Sequence, residues 1–170
     1  MSPIPTSKYH SVVAQIVELL KRRNIWFETF EHEPVRTSEE AAKVRHGYSL
    51  QQGAKAILLR VKISTTEKKF VMLVLPGDAR FDSGKVKNLL KPKDIRFATE
   101  EEVIAATGGV LPGGVPPFGN LFGIETIADP KILEQEKIVF NAGDRSFSIA
   151  MKSADYIFIV NPRVAVVISK

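Results

Sequence analysis

Between Ser7 and Arg23, apolar residues recur at Val12, Val13, Ile16, Leu19 and Leu20, spacings of three and four that put them on one side of a helix. The run closes on Lys21-Arg22-Arg23, basic charge that suits a helix C-terminus. Residues 1–6 hold two prolines and read as a loose lead-in. Ile25 to Phe30 alternates with aromatics as a strand does, and His32-Glu33-Pro34 breaks it. Thr37 followed by Ser38-Glu39-Glu40 is an N-cap with acidic first-turn residues, which predicts a short helix to about Arg45, closed by Gly47. A polar loop through Gln51, Gln52 and Gly53 comes next. Ala54 to Lys62 and Phe70 to Leu75 are strand-like, and the charged Thr66 to Lys69 between them predicts a hairpin.

Past the Pro76-Gly77-Asp78 turn, Asp82 or Ser83 caps a predicted helix that runs to Leu90. Ile95 to Ala98 is a short strand, and Thr99 with Glu100-Glu101-Glu102 opens a helix that stops at Gly108. Leu121 to Ile127 reads as a strand, Asp129-Pro130 as the start of a helical turn, and Ala142 to Arg145 as a hairpin between Ile138–Asn141 and Phe147–Ala150. Ser153 to Val160 is helical, and Val164 to Ile168 a terminal strand. Strands and helices intermix without repeats or internal linkers, so a mixed α/β sheet fits better than a doubly wound parallel one.

One stretch stands apart from this periodicity. Thr107 to Gly119, T-G-G-V-L-P-G-G-V-P-P-F-G, holds five of the chain's 11 glycines and three of its 10 prolines. That mixture is rigid, non-helical and bare of side chains at several points, so it can offer backbone groups to a ligand. A surface connection has the same composition. Val110, Leu111, Val115 and Phe118 are poor choices for a solvated linker, however, and make the loop read as the wall of a pocket.

At 170 residues, 44% apolar and 25% charged, the chain is expected to form one globular domain spanning 1–170. No apolar run approaches the ~18 residues of a membrane span. The N-terminus lacks a basic start and an apolar core, so a cytoplasmic location is expected. With no cysteine there is no disulfide, thiolate zinc site or cysteine nucleophile. His10, His32 and His46 lack metal-site spacing, and G-x-S-x-G is absent. Gly77 to Lys85 superficially resembles a phosphate-binding loop, but six residues separate its glycines and Val86 stands where Ser or Thr should bind magnesium. The net charge of +5 favours an anionic partner. Lys55 opens the run A-I-L-L-R-V, where a lysine ordinarily extends its head to solvent but can also fix an oxygen at a pocket mouth. His32 reads first as a packing histidine.

Six segments follow one another in order: E-H-E-P-V-R-T-S-E-E-A-A (31–42), G-A-K-A-I-L-L (53–59), L-P-G-D-A-R-F-D (75–82), R-F-A-T-E-E-E-V (96–103), the Gly/Pro loop (107–119) and N-A-G-D-R-S-F-S-I (141–149). Together they resemble the YbaK / prolyl-tRNA synthetase editing-domain family of trans-acting aminoacyl-tRNA deacylases. The likeness spans roughly residues 8–168. It implies an α/β fold built on a mixed, mostly antiparallel curved sheet with surrounding helices. It also implies a pocket defined by a lysine on a core strand and a G-x-x-x-P loop. Lys55 matches the lysine. Gly113 to Pro117 matches the loop, and is preferred over Gly108 to Pro112 because P-F-G follows. Pro116 is a mild variant at its position.

On this resemblance Lys55 and Gly113 are the catalytic residues, and Gly114, Val115, Pro117, Phe118, Gly143, Asp144, His32 and Thr37 bind substrate, with no metal and no cofactor. The implied reaction is hydrolysis of the ester joining an amino acid to the terminal ribose of a tRNA, tRNA-Pro first. Water attacks with help from the ribose hydroxyl, so no protein nucleophile is needed. Mischarged tRNA is the implied partner, with a prolyl-tRNA synthetase or elongation factor as further ones. The loop shows no second polar anchor, which points to a small side chain such as alanine or cysteine. A non-catalytic tRNA-binding module of the same fold stays open beside this reading, as does hydrolysis of another small ester.

Overall fold

The structure, a computed structural model, describes residues 7–169; the predicted lead-in over residues 1–6 lies outside them. Helix α1 spans Ser11–Arg22. It starts four residues after the predicted onset because His10 caps it, its Nδ1 accepting the Val12 N–H at 3.1 Å. Val12, Val13, Ile16, Val17 and Leu20 face the core. Each such burial is worth about 1.5–3 kcal/mol.

Among the described residues eight strands make two sheets where the sequence suggested one. In the first, β1 (Phe27–Glu31) pairs with β7 (Phe147–Lys152), which pairs with β6 (Lys137–Asp144), all antiparallel. In the second, β2 (Ala54–Lys62) and β3 (Lys68–Pro76) form the predicted hairpin, paired from Ala54↔Pro76 to Lys62↔Lys68. β4 (Asp94–Phe97) flanks β2 in antiparallel register, β5 (Glu125–Ala128) runs parallel to β3, and β8 (Arg163–Val164) parallel to β5. A bridge from Gly53 to Val139 joins the two sheets.

β3, the central strand of the second sheet, is buried on both faces, which explains why Phe70 to Leu75 is continuously apolar. Met72 and Val74 point toward α1 and the first sheet. Val71, Leu73 and Leu75 point to the other side, under Val86 of α3 (Ser83–Leu90). Helices α2 (Ser38–Val44), α4 (Glu100–Ala106) and α5 (Ser153–Val160) complete the fold. Thr37, Asp82 and Thr99 cap α2, α3 and α4 as expected, each accepting a backbone N–H at 3.1 Å. The Asp129-Pro130 turn is also present, as a 3-10 helix over Pro130–Glu134.

Two predicted strands change. Leu121 to Ile127 begins as a 3-10 turn, Gly119–Phe122, and becomes extended only at Glu125. The chain folds back there: the Ile124 N–H bonds Gly119 O at 2.9 Å, and Gly123 sits at φ +68. A Cβ on Gly119 would lie 2.1 Å from Thr126 Oγ1, so only glycine allows the approach. The terminal strand pairs only over Arg163–Val164. Beyond it the chain is held by the buried Asp129 carboxylate, which accepts the Val167 N–H at 2.8 Å. The predicted 142–145 hairpin also shifts, because Ala142 and Gly143 form a bulge inside β6 and the turn is Arg145-Ser146.

Candidate active site

The Gly/Pro loop leaves α4 at Thr107 and lies against the β6–β7 hairpin, which holds it at three points. Asn141 Nδ2 donates to Gly113 O at 2.6 Å, the Gly143 N–H to Gly114 O at 2.8 Å, and Arg145 Nε to Pro112 O at 2.7 Å. Gly113 sits at φ +90, where a side chain would be strained. Gly143, at φ +111, packs so close to α1 that a Cβ there would lie 3.0 Å from Val12.

This clamp turns successive residues to different places. Gly113 and Val115 face a cavity of about 240 Å³ that opens between the loop, α2 and the start of β2. Lys55 and Thr37 line the same cavity, so four of the sequence-derived residues converge. The Thr37 hydroxyl is already engaged in capping, accepting from Glu40 N–H and donating to Glu40 Oε1. Gly114, Gly143 and Asp144 instead line a separate depression of about 480 Å³ beyond the loop, with Leu111. Asp144 there accepts the Ser146 N–H at 2.9 Å and closes the hairpin turn.

Pro117 and Phe118 turn inward. Pro117 O accepts the Tyr156 hydroxyl at 2.5 Å, and the Phe118 ring is fully buried against Phe140 and Tyr156. Val110 is buried as well, so of the four apolar loop residues only Val115 lines this cavity. His32 reaches toward the site without lining it. Its Nδ1 lies 2.8 Å from Glu33 O, which can only accept, so that nitrogen carries a proton; Nε2 lies 2.8 Å from Ser148 Oγ, whose one proton is shared between this contact and Asn141 Oδ1 at 3.1 Å. Burial, aided by the nearby Arg45 charge, holds the imidazole below its ordinary 6.5, against the pull of the Glu33 carbonyl and Asp144.

The lining also contains residues that the sequence alone did not single out. Arg36 stands at the rim beside Ser38. Arg45, only 6% exposed, lies at the floor. Its Nε donates to Ser148 Oγ at 3.0 Å and its Nη2 to Asn141 Oδ1 at 2.9 Å. Burial lowers it to about 10 with no opposing acid, so it remains a cation at neutral pH. Position 45 gave no such signal, because an arginine ending a helix reads as an ordinary partner of the helix dipole. Gly53, Ala54, Ala56 and Ala41 keep the remaining walls small.

Among the described residues no carboxylate lines the cavity, while Arg36, Arg45 and Lys55 all do. Lys55 is half-buried; desolvation holds its ammonium below the usual lysine value, and Glu39 and Asp78 oppose that shift. Its Nζ contacts Gly77 O at 3.4 Å. Among the loop donors, the Gly114 N–H is bonded to Leu111 O at 2.9 Å. The Gly113 and Val115 N–H groups meet no acceptor among the described residues, and Pro116 and Pro117 have none to give. The arrangement can therefore bind an oxygen-rich anionic ligand, and two of the loop residues lining it carry backbone N–H groups with no acceptor among the described residues. Among the described residues no three metal-ligating side chains converge, and no helix is long and apolar enough to cross a membrane.

Comparison with known proteins gives this geometry a context. A sequence model described as an aminoacyl-tRNA editing domain matches residues 32–159. The Multifunctional Ser/Thr-tRNA deacylase ProXp-y of Escherichia coli (strain K12) is 31% identical over 151 residues, covering 88% of this chain and 89% of that protein. The proline–tRNA ligase of Ralstonia nicotianae is 30% identical over 116 residues, 68% of this chain but 20% of the ligase. A solved structure described as a candidate trans-editing enzyme for prolyl tRNA synthetase superposes with a TM-score of 0.77 at 22% identity. It covers 99% of this chain and 100% of that one, a likeness of fold. The class is thus that of hydrolases acting on the ester of aminoacyl-tRNA. Within it, the chain belongs to the aminoacyl-tRNA editing-domain family, the YbaK and prolyl-tRNA synthetase editing group.

Proposed function

We propose that the protein is a free-standing, trans-acting deacylase that removes a mischarged small amino acid from tRNA, tRNA-Pro first, in the cavity beneath Gly113. The observation that carries this reading is the convergence of Lys55, Gly113 and Val115 on one small cavity that no carboxylate lines among the described residues. The acceptor end enters tip first. Lys55, half-buried in the wall, holds the phosphate or hydroxyl region of the terminal adenosine, and the Gly113 and Val115 N–H groups polarise the ester carbonyl. Water then attacks, assisted by the substrate's own ribose hydroxyl, with positioning supplying much of the acceleration. Attack bonds the water oxygen to the carbonyl carbon, passes one water proton to the ribose hydroxyl and forms a tetrahedral oxyanion; its collapse breaks the ester bond, and the ribose hydroxyl relays that proton to the leaving ribose oxygen. Mischarged tRNA is the partner, with a prolyl-tRNA synthetase or elongation factor as a further one.

The loop alone, bare of polar side chains, favours alanine or cysteine. The floor beneath it is polar, formed by Arg45 and Asn141, and supports serine or threonine ahead of them, the amino acids in the E. coli relative's name. The test is deacylation of tRNA-Pro charged separately with Ala, Cys, Ser, Thr and Pro. Release of a non-cognate small amino acid, with Pro retained, is the expected result. Salt-sensitive tRNA binding without any release would favour a non-catalytic module.

A further inference from the structure

Arg45 is buried more deeply than a catalytic or tRNA-steering arginine needs to be. At 6% exposure it lies below the half-buried Lys55 and the exposed Arg36, so burial orders the three cations from floor to rim. Two of its nitrogens are fixed to neutral oxygens of the β6–β7 hairpin, Ser148 Oγ and Asn141 Oδ1. The third, Nη1, has no partner among the described residues, although the side chain lines the cavity. Gly53 keeps the approach to it clear: a Cβ at that position would stand 3.6 Å from Nη1. A donor held this way, in a cavity that stays open at its mouth, is free to meet a ligand acceptor.

A guanidinium donates only, which narrows what that acceptor can be. An acceptor end that enters tip first brings the amino-acid side chain deepest. A methyl group offers nothing to Nη1, a thiol is a weak acceptor, and a hydroxyl is a good one. The same charge repels an α-ammonium and turns the amino group toward the mouth. We propose that Arg45 is the specificity-determining residue of the cavity, its Nη1 donating to the side-chain hydroxyl of a seryl or threonyl group. This rests on the deacylase reading and names its substrate class. Ser148 and Asn141 are positioning residues that hold the guanidinium plane.

The experiment measures kcat/KM for tRNA-Pro carrying Ser, Thr, Ala or Cys, with wild type beside Arg45→Gln and Arg45→Lys. One hydrogen bond from a charged donor is lost when the hydroxyl is absent, so wild type should favour Ser over Ala by about 10²-fold. Arg45→Gln should bring that ratio to within about threefold, by losing Ser and Thr activity while Ala and Cys activity is largely kept. Arg45→Lys, which keeps the charge but loses the planar fork, should fall between them. A wild-type Ser-to-Ala ratio near one overturns the proposal without any variant, so misfolding of Arg45→Gln leaves the test intact. A uniform loss over all four substrates also overturns it, by making Arg45 an anchor for the part of the tRNA they share. Hydrolysis of no substrate by wild type overturns the deacylase reading and this proposal together; hydrolysis with a flat ratio overturns this one alone.

Discussion

The Gly113–Gly114 doublet has two unlike sides. On one, Gly113 faces a cavity lined by Lys55, Arg36 and Arg45, with an N–H that meets no acceptor among the described residues. On the other, Gly114 is buried against the backbone of Asp144 and Arg145, its N–H and O both bonded within the protein. Adjacent glycines thus answer different physical demands. One keeps a backbone donor and open space for a ligand; the other lets the loop dock tightly enough to fix where that donor points. The comparison separates residues that meet substrate from residues that place them, and substitution on either side should affect different quantities.

The largest effect is expected at Gly113. In Gly113→Ala a methyl group would have to accept φ +90 and sit 3.4 Å from Arg36 O, displacing the donor itself. Deacylation should fall about 10²-fold, read as kcat in single-turnover kinetics. Asn141→Ala keeps the glycine but frees Gly113 O and one hydrogen bond of Arg45. A roughly tenfold loss of activity is expected, together with about 1–2 kcal/mol of stability in urea unfolding. Gly143→Ala acts from the docking side. It puts a side chain at φ +111 and 3.0 Å from Val12, so it should cost about 1–3 kcal/mol of stability and reduce activity per folded molecule less than Gly113→Ala does. The reverse order of activity losses would erase the distinction between the two sides.

The smallest effect concerns pH. His32 is held below its ordinary 6.5 when folded, so the unfolded chain takes up the proton first. The stability contribution is therefore complete above that value and declines as pH falls below it. Thermal unfolding between about pH 7.5 and about 5.5 should show this decline, and His32→Gln should flatten it.

Much of this was legible in the chain. The β2–β3 hairpin followed from two apolar runs around a charged turn, and α2 to α4 from Thr37, Asp82 and Thr99 at their caps. The convergence of Lys55 with Gly113 followed from the family pattern, not from spacing. Phe118 misled because an aromatic in a glycine-rich loop looks the same in sequence whether it lines a pocket or fills a core; its contacts with Phe140 and Tyr156 decide the matter. Arg45 was invisible for a related reason. Its partners Ser148 and Asn141 lie about a hundred residues away, and no local pattern marks a helix-ending arginine as buried. The break in the predicted 121–127 strand turned on Gly119 and Gly123, whose roles depend on a close approach to Thr126 and a left-handed turn.

The most direct measurement is hydrolysis of one charged tRNA by wild type and Lys55→Ala at matched protein concentration and salt, with thermal unfolding of both recorded alongside. Lys55 is half-buried, with a single 3.4 Å contact to Gly77 O, so its removal should leave the unfolding midpoint nearly unchanged. The cavity account predicts that deacylation nonetheless drops by at least about 10²-fold. Equal rates from the two proteins, both folded, would contradict it and move the chemistry away from the cavity beneath Gly113.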